Sequence, residues 1–219
     1  QKIKLKKLSN NYKINFENIE KNILIDVEEI EKLVMQNKKI IPEIDYESIK
    51  NKSINDEIID LVKKRGCVVI RNVFKKEKVI EWNNEIEQYI DENNYYEDQK
   101  KKSDLDQYFS DLQSGKPQIF GLYWSRPQIE ARQSKNMAVV KSWLNNLWKY
   151  EFNNKKIFDP NKELVYADRI RRREGGDASL GLSPHCDAGS VERWIDNAFQ
   201  KLYEPIFSDQ LENYDPFNA

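Results

Sequence analysis

The chain has 219 residues, with 36 Lys and Arg against 37 Asp and Glu. That near balance argues against a general nucleic-acid binder, and no apolar run approaches the roughly 18 residues that span a bilayer as a helix. With 39% hydrophobic residues a core of ordinary size is within reach, so neither a metal nor a disulfide is needed merely to fold.

Cys67 and Cys186 are too few and too far apart for a disulfide scaffold, which fits a reducing compartment. The opening Gln1-Lys2-Ile3-Lys4-Leu5-Lys6-Lys7 has no apolar stretch of signal-peptide length and no transit-peptide bias, so a cytoplasmic location is expected.

Residues 1–25 are polar, rich in Lys and Asn and without a sustained period, and are expected to form an N-terminal arm ahead of a single domain over 26–219. Val27, Ile30, Leu33 and Val34 then recur at helical spacing behind Asp26, and Ile40-Ile41-Pro42 closes that element. Ser53-Ile54-Asn55-Asp56 has a capping-box layout ahead of the stripe Ile54, Ile58, Leu61 and Val62, with Gly66 as the stop. Cys67 to Ile70 reads as a buried strand. A third helix is expected over Lys76 to Asp91, with Val79, Trp82, Ile86, Tyr89 and Ile90 on its apolar side. Residues 92–104 read as a surface loop and Ser114-Gly115-Lys116-Pro117 as a turn. Gln118 to Trp124 reads as a strand broken by Pro127, followed by a helix carrying Met137, Val140, Leu144, Leu147 and Trp148. Leu164 to Arg173 predicts a strand with a polar face, and Asp196 to Glu204 a short helix ending before Pro205. Helices crowd the first two thirds and strands the last, an α+β arrangement with helices outside a sheet.

Chemistry is easiest to locate through the one histidine, His185, in Leu182-Ser183-Pro184-His185-Cys186-Asp187-Ala188-Gly189-Ser190. In an extended segment, residues two apart point to the same side, so His185 and Asp187 can present an imidazole nitrogen and a carboxylate to one metal ion. Acidic residues are 37 of 219, so this spacing alone is common. The residues by themselves admit a ligand pair or a loop histidine held by a carboxylate.

Four stretches sharpen that choice: Arg65 to Arg71, Gly115 to Gln133 around Tyr123-Trp124-Ser125-Arg126-Pro127-Gln128, Tyr166 to Arg171, and Gly176 to Trp194. With Tyr214-Asp215-Pro216-Phe217, they resemble a bacterial and fungal domain-of-unknown-function family within the iron(II)- and 2-oxoglutarate-dependent oxygenase superfamily, over roughly residues 40–219. The resemblance implies a double-stranded β-helix (jelly roll, cupin-like) preceded by helices, with iron(II) held by His185 and Asp187 and 2-oxoglutarate as cosubstrate. It also implies a third ligand, a histidine on a later strand, followed by a basic anchor for 2-oxoglutarate. No histidine follows His185, so the chain is expected to be the N-terminal half of a longer protein, with an incomplete β-helix, or a degenerate member.

Arg169, Ile170, Arg171, Arg172 and Arg173 put alternate arginines on opposite sides of a strand. Arg169 and Arg171 are candidates to bind an anion, such as a 2-oxoglutarate carboxylate or an acidic substrate, against the alternative of an ion-paired strand face. Tyr123, Trp124 and Trp194 are candidates for a substrate pocket, with core packing as the alternative. Gly175-Gly176 lacks the frame of a phosphate-binding loop and reads as a turn, while Cys186 should point away from the ligand pair. The function expected from the resemblance is oxidation of a small organic substrate by an iron(II)/2-oxoglutarate dioxygenase, with no nucleic-acid or membrane partner. This chain alone is expected to be inactive. The alternative is a catalytically silent β-helix relative that binds or supports other molecules.

Overall fold

The structure is a computed structural model that describes residues 2–100, 119–172, 174–176, 201, 203–208 and 210–218. His185, Asp187, Trp194 and Cys186, the Ser114 to Pro117 turn and most of the helix expected over Asp196 to Glu204 lie outside the described residues.

The first helix, α1, runs Lys2–Met35, so the residues read as a polar arm continue the helix expected from Asp26. Lys and Asn cost a helix only tenths of a kcal/mol each, so their polarity hid the element without preventing it. The helix stops where Asn37 takes a positive φ of 52°. The Lys38 amide there donates to the Leu33 carbonyl and the Asn37 amide to Val34, closing the end with the two bonds of a Schellman turn. Glu29 ties α1 to the body through Lys64 at 2.5 Å and Arg65 at 2.9 Å.

After α1 come β1 (Glu43–Asp45), α2 (Tyr46–Lys50), α3 (Asp56–Arg65) and β2 (Val69–Arg71). The pair β1 and β2 is parallel, with Ile44 opposite Ile70, and the two helices make the crossover. Helix α3 is capped by Asn55, which accepts from the Ile58 amide at 3.0 Å, and not by Ser53 as its spacing suggested. Gly66 ends it at φ +65°, as expected. Cys67 is exposed, because the paired strand begins two residues later than the apolar run.

Helix α4 (Lys76–Glu92) matches its expected span. Part of the loop expected over 92–104 is helical, as α5 (Tyr95–Lys100). The strand expected over Gln118 to Trp124 shrinks to β3 (Ile119–Phe120), followed by α6 (Arg126–Arg132) and α7 (Lys135–Asn145). Strands β4 (Glu151–Phe152) and β5 (Lys155–Lys156) form a hairpin whose turn residues, Asn153 and Asn154, both take positive φ. The strand expected over Leu164 to Arg173 pairs only as β6 (Ile170–Arg171), antiparallel to β3. Near the end lie α8 (Glu204–Phe207), which touches α1, and a 3₁₀ turn at Leu211–Asn213. The described residues therefore mix helices with three two-stranded sheets and no closed barrel.

The core gathers Ile44, Tyr46 and Ile49 with Val62 of α3 and Val140 of α7, each buried. Tyr46 donates from its hydroxyl to Asn136, whose own amide donates to the Val73 carbonyl, so the one polar atom in this cluster is satisfied and α7 is fixed against the β2 exit. Aromatic contacts pack two further places: Phe74 lies edge-on to Trp82 of α4 at 5.0 Å, and Tyr95 and Tyr96 of α5 flank the fully buried Phe120 of β3. Phe217 closes the far end, with Trp148 at 4.8 Å and the Lys149 amide on its carbonyl.

Two outcomes follow from this packing. Ile49 is 4% exposed, so Ile49→Ala should cost about 2–5 kcal/mol in chemical denaturation, whereas Val34→Ala, at a 54% exposed position, should stay within about 0.5 kcal/mol. The Arg71 guanidinium and the Lys39 ammonium hold the Glu43 carboxyl down from 4.5 to about 2. A depressed carboxyl favours the folded state above its unfolded value, and this contribution is lost as pH falls from about 4.5 to about 2. Carboxyl NMR should find the Glu43 midpoint near that lower limit, and Arg71→Met should raise it.

Candidate functional site

The segment between β3 and α6 has no ladder bonds of its own, so its shape depends on side chains. The Gly121 amide donates to the Tyr95 hydroxyl at 2.7 Å. Ser125 caps α6 in a complete capping box with Gln128, and Pro127 occupies its first turn, where a missing N–H costs nothing. The signal Ser-x-x-Gln was present in the sequence, hidden by reading Pro127 only as a strand breaker.

Gln128 is 6% exposed, the buried polar side chain among the described residues. Its Nε2 donates to the Leu122 carbonyl at 3.0 Å and to the Asp168 carbonyl at 2.9 Å, while Oε1 accepts from the Ser125 amide and hydroxyl. One residue thus binds the 121–125 segment to the irregular segment that leads into β6. One turn further along α6, Arg132 pairs with the Asp168 carboxylate and lies under the Trp124 ring, its guanidinium carbon 5.1 Å from the centroid.

Beyond Asp168, the alternation expected of the arginine run is present. Ile170 faces Phe120 across the β3–β6 pair, and Arg172 reaches Glu87 at 3.0 Å and Glu174 at 3.1 Å. Arg169 and Arg171 point the other way, into an open cleft of about 700 Å³ shared with Tyr123, Val165, Tyr166 and Asp168. Arg169 lies over the Tyr123 ring at 5.5 Å, and neither arginine has a carboxylate partner among the described residues. Asp168 is spent on Arg132, so the cleft keeps the positive charge of two guanidinium groups.

Of the candidate residues read from the sequence, Tyr123, Arg169 and Arg171 meet in this cleft. Trp124 does not line it but covers Arg132, while His185, Asp187 and Trp194 lie outside the described residues. Gln128, Arg132 and Tyr166 were not singled out, because each gains its meaning from a partner some 40 residues away in the chain. Among the described residues no group of three or more histidine, cysteine or acidic side chains could hold a metal. No described helix is long and apolar enough to cross a membrane. A second cleft, of about 690 Å³ on α2 and α7, offers Lys50, which is already paired with Glu47, and Lys52, but no arginine among its lining residues.

The Gig2-like family model matches residues 1–219. The chain belongs to the Gig2-like family. It is 37% identical to the uncharacterised protein YbiU of Escherichia coli K12 over 187 residues, 85% of this chain and 44% of that protein. A solved protein of Salmonella typhimurium LT2, provisionally named an oxidoreductase, shares the fold at a TM-score of 0.83 and 35% identity, over 98% of this chain and 52% of that one. A fungal structure, GlcNAc Inducible Gene 2 of Candida albicans, matches at a TM-score of 0.69 and 27% identity, over 97% of this chain and 42% of that one. The chain spans about half the length of these Gig2-like relatives.

The Gln128 amide predicts a clear loss. Gln128→Leu keeps the volume and strands the Leu122 and Asp168 carbonyls, and should cost about 1–3 kcal/mol in a denaturant titration.

Proposed function

We propose that the chain is part of an oxidoreductase that oxidises a small organic substrate with iron(II) and 2-oxoglutarate, in a cytoplasmic protein whose complete core is a double-stranded β-helix. The observation that carries the oxidoreductase reading is the likeness to the Salmonella protein, which extends over 98% of this chain. The iron and 2-oxoglutarate reading is finer and rests on the His185-x-Asp187 stretch and its neighbours.

The donor set suits the metal. An imidazole nitrogen and a carboxylate oxygen are two of the three ligands that a facial iron(II) site uses, and they leave positions open. Bound there, iron(II) would supply the activation of dioxygen that no amino-acid side chain provides. The residues of this chain would do the rest: His185 and Asp187 hold the ion, Arg169 and Arg171 capture an anion, and Gln128 keeps the walls of the cleft at a fixed separation.

Anaerobic calorimetry tests this reading. The 219-residue chain should bind iron(II) weakly, since two protein ligands leave the ion largely to water, and His185→Ala should abolish the binding. Iron(II) binding that is unchanged in both His185→Ala and Asp187→Ala would overturn the assignment. Succinate release from 2-oxoglutarate by this chain should stay far below the on-the-order-of 1 per second of ordinary enzymes.

A further inference from the structure

We infer that the cleft of Arg169 and Arg171 seats the substrate itself, and that this substrate is a small organic anion with an aromatic or similarly flat apolar body. The inference rests on the function proposed above and names its substrate class. Charge is the first argument. Two guanidinium groups line the cleft without a carboxylate partner among the described residues, and Asp168, the acid among the described lining residues, is paired with Arg132. A carboxylate or phosphate entering here meets unspent positive charge.

Shape is the second argument. Arg169 lies over the face of Tyr123, an arrangement that leaves the in-plane N–H groups of a guanidinium free to fork onto an anion. Tyr166 is 90% exposed and Val165 53%, so the cleft lining also offers apolar surface that nothing in the described chain covers. A cleft of about 700 Å³ lies within the range of sites that take ligands much larger than a five-carbon diacid. 2-Oxoglutarate would satisfy the arginines and leave the tyrosine and valine surface wet; an aromatic anion covers both. The third argument is rigidity. The cleft walls are joined by the buried Gln128 amide and by the Arg132–Asp168 pair, so binding need not organise them first.

The test is calorimetry on the metal-free chain with four probes: 3-phenylpropionate, phenyl phosphate, benzyl alcohol and 2-oxoglutarate. The two aromatic anions should bind, and benzyl alcohol and 2-oxoglutarate should bind at least about tenfold more weakly. Whichever of the carboxylate and phosphate probes binds tighter identifies the anionic group, and either order supports the inference. Arg169→Met and Arg171→Met should each weaken 3-phenylpropionate by roughly ten- to a hundredfold, whereas Arg172→Met, on the other side of the strand, should leave it unchanged. Tyr166→Ala alters an exposed side chain and so cannot unfold the protein; it should weaken the same probe roughly two- to tenfold. The inference fails if 2-oxoglutarate binds as tightly as 3-phenylpropionate, if Arg172→Met loses as much as its neighbours, or if neither aromatic anion binds. Because no metal is present, failure of the iron assignment leaves these titrations intact, and their failure leaves the His185-dependent iron binding intact.

Discussion

A primary carboxamide has two N–H donors and an oxygen with two lone pairs, and in Gln128 all four are used inside the protein. Such a group is costly to bury and is tolerated only when its partners are complete, so it demands one arrangement of Leu122, Ser125 and Asp168. Neither the 121–125 segment nor residues 162–169 carries regular secondary structure, and the two-residue ladder of β3 and β6 cannot position them alone. The amide takes that role, and the cleft is the space left between the segments it joins.

Electrostatics then divides the arginines by function. Arg132, 9% exposed, is held by Asp168 and Trp124; Arg172 is shared between two glutamates; Arg169 and Arg171 are left over on the open side. Four chemically identical groups within the same part of the fold therefore differ entirely in availability. Partners fixed by the backbone decide which of them can meet a ligand.

Much of this was legible in the sequence where the signal was local. Helix α4 could be read from its stripe, and the stop at Gly66 from its residue type, because spacing and φ preference act over a few residues. The alternation of Arg169, Arg171 and Arg172 was equally plain, since a strand permits only two sides. Elements whose cause is distant were not: α1 begins with lysines and asparagines that give no stripe, and β1 with α2 is defined by contacts to α7 and β2. The cleft itself joins residues near 123 to residues near 168, and no local pattern announces that meeting. Apolar runs also misled in one direction. Gln118 to Trp124 and Leu164 to Arg173 read as long strands, but among the described residues only two of each pair, and Tyr123, Val165, Tyr166 and Arg169 line the cleft instead.

The brevity of the β3–β6 ladder has a bearing on how accurately this chain folds. Two paired residues on each side contribute little to choosing one register over another, and a slip by a single residue would exchange the faces of the strand. Ile170 would swing to solvent and an arginine would be driven against Phe120, a ring that is 1% exposed. Removing a guanidinium from water without a partner costs several kcal/mol, far more than a few misplaced backbone bonds could return. The charge that leaves the cleft open to an anion thus also guards its alignment: misregistered forms are rejected because they would bury it.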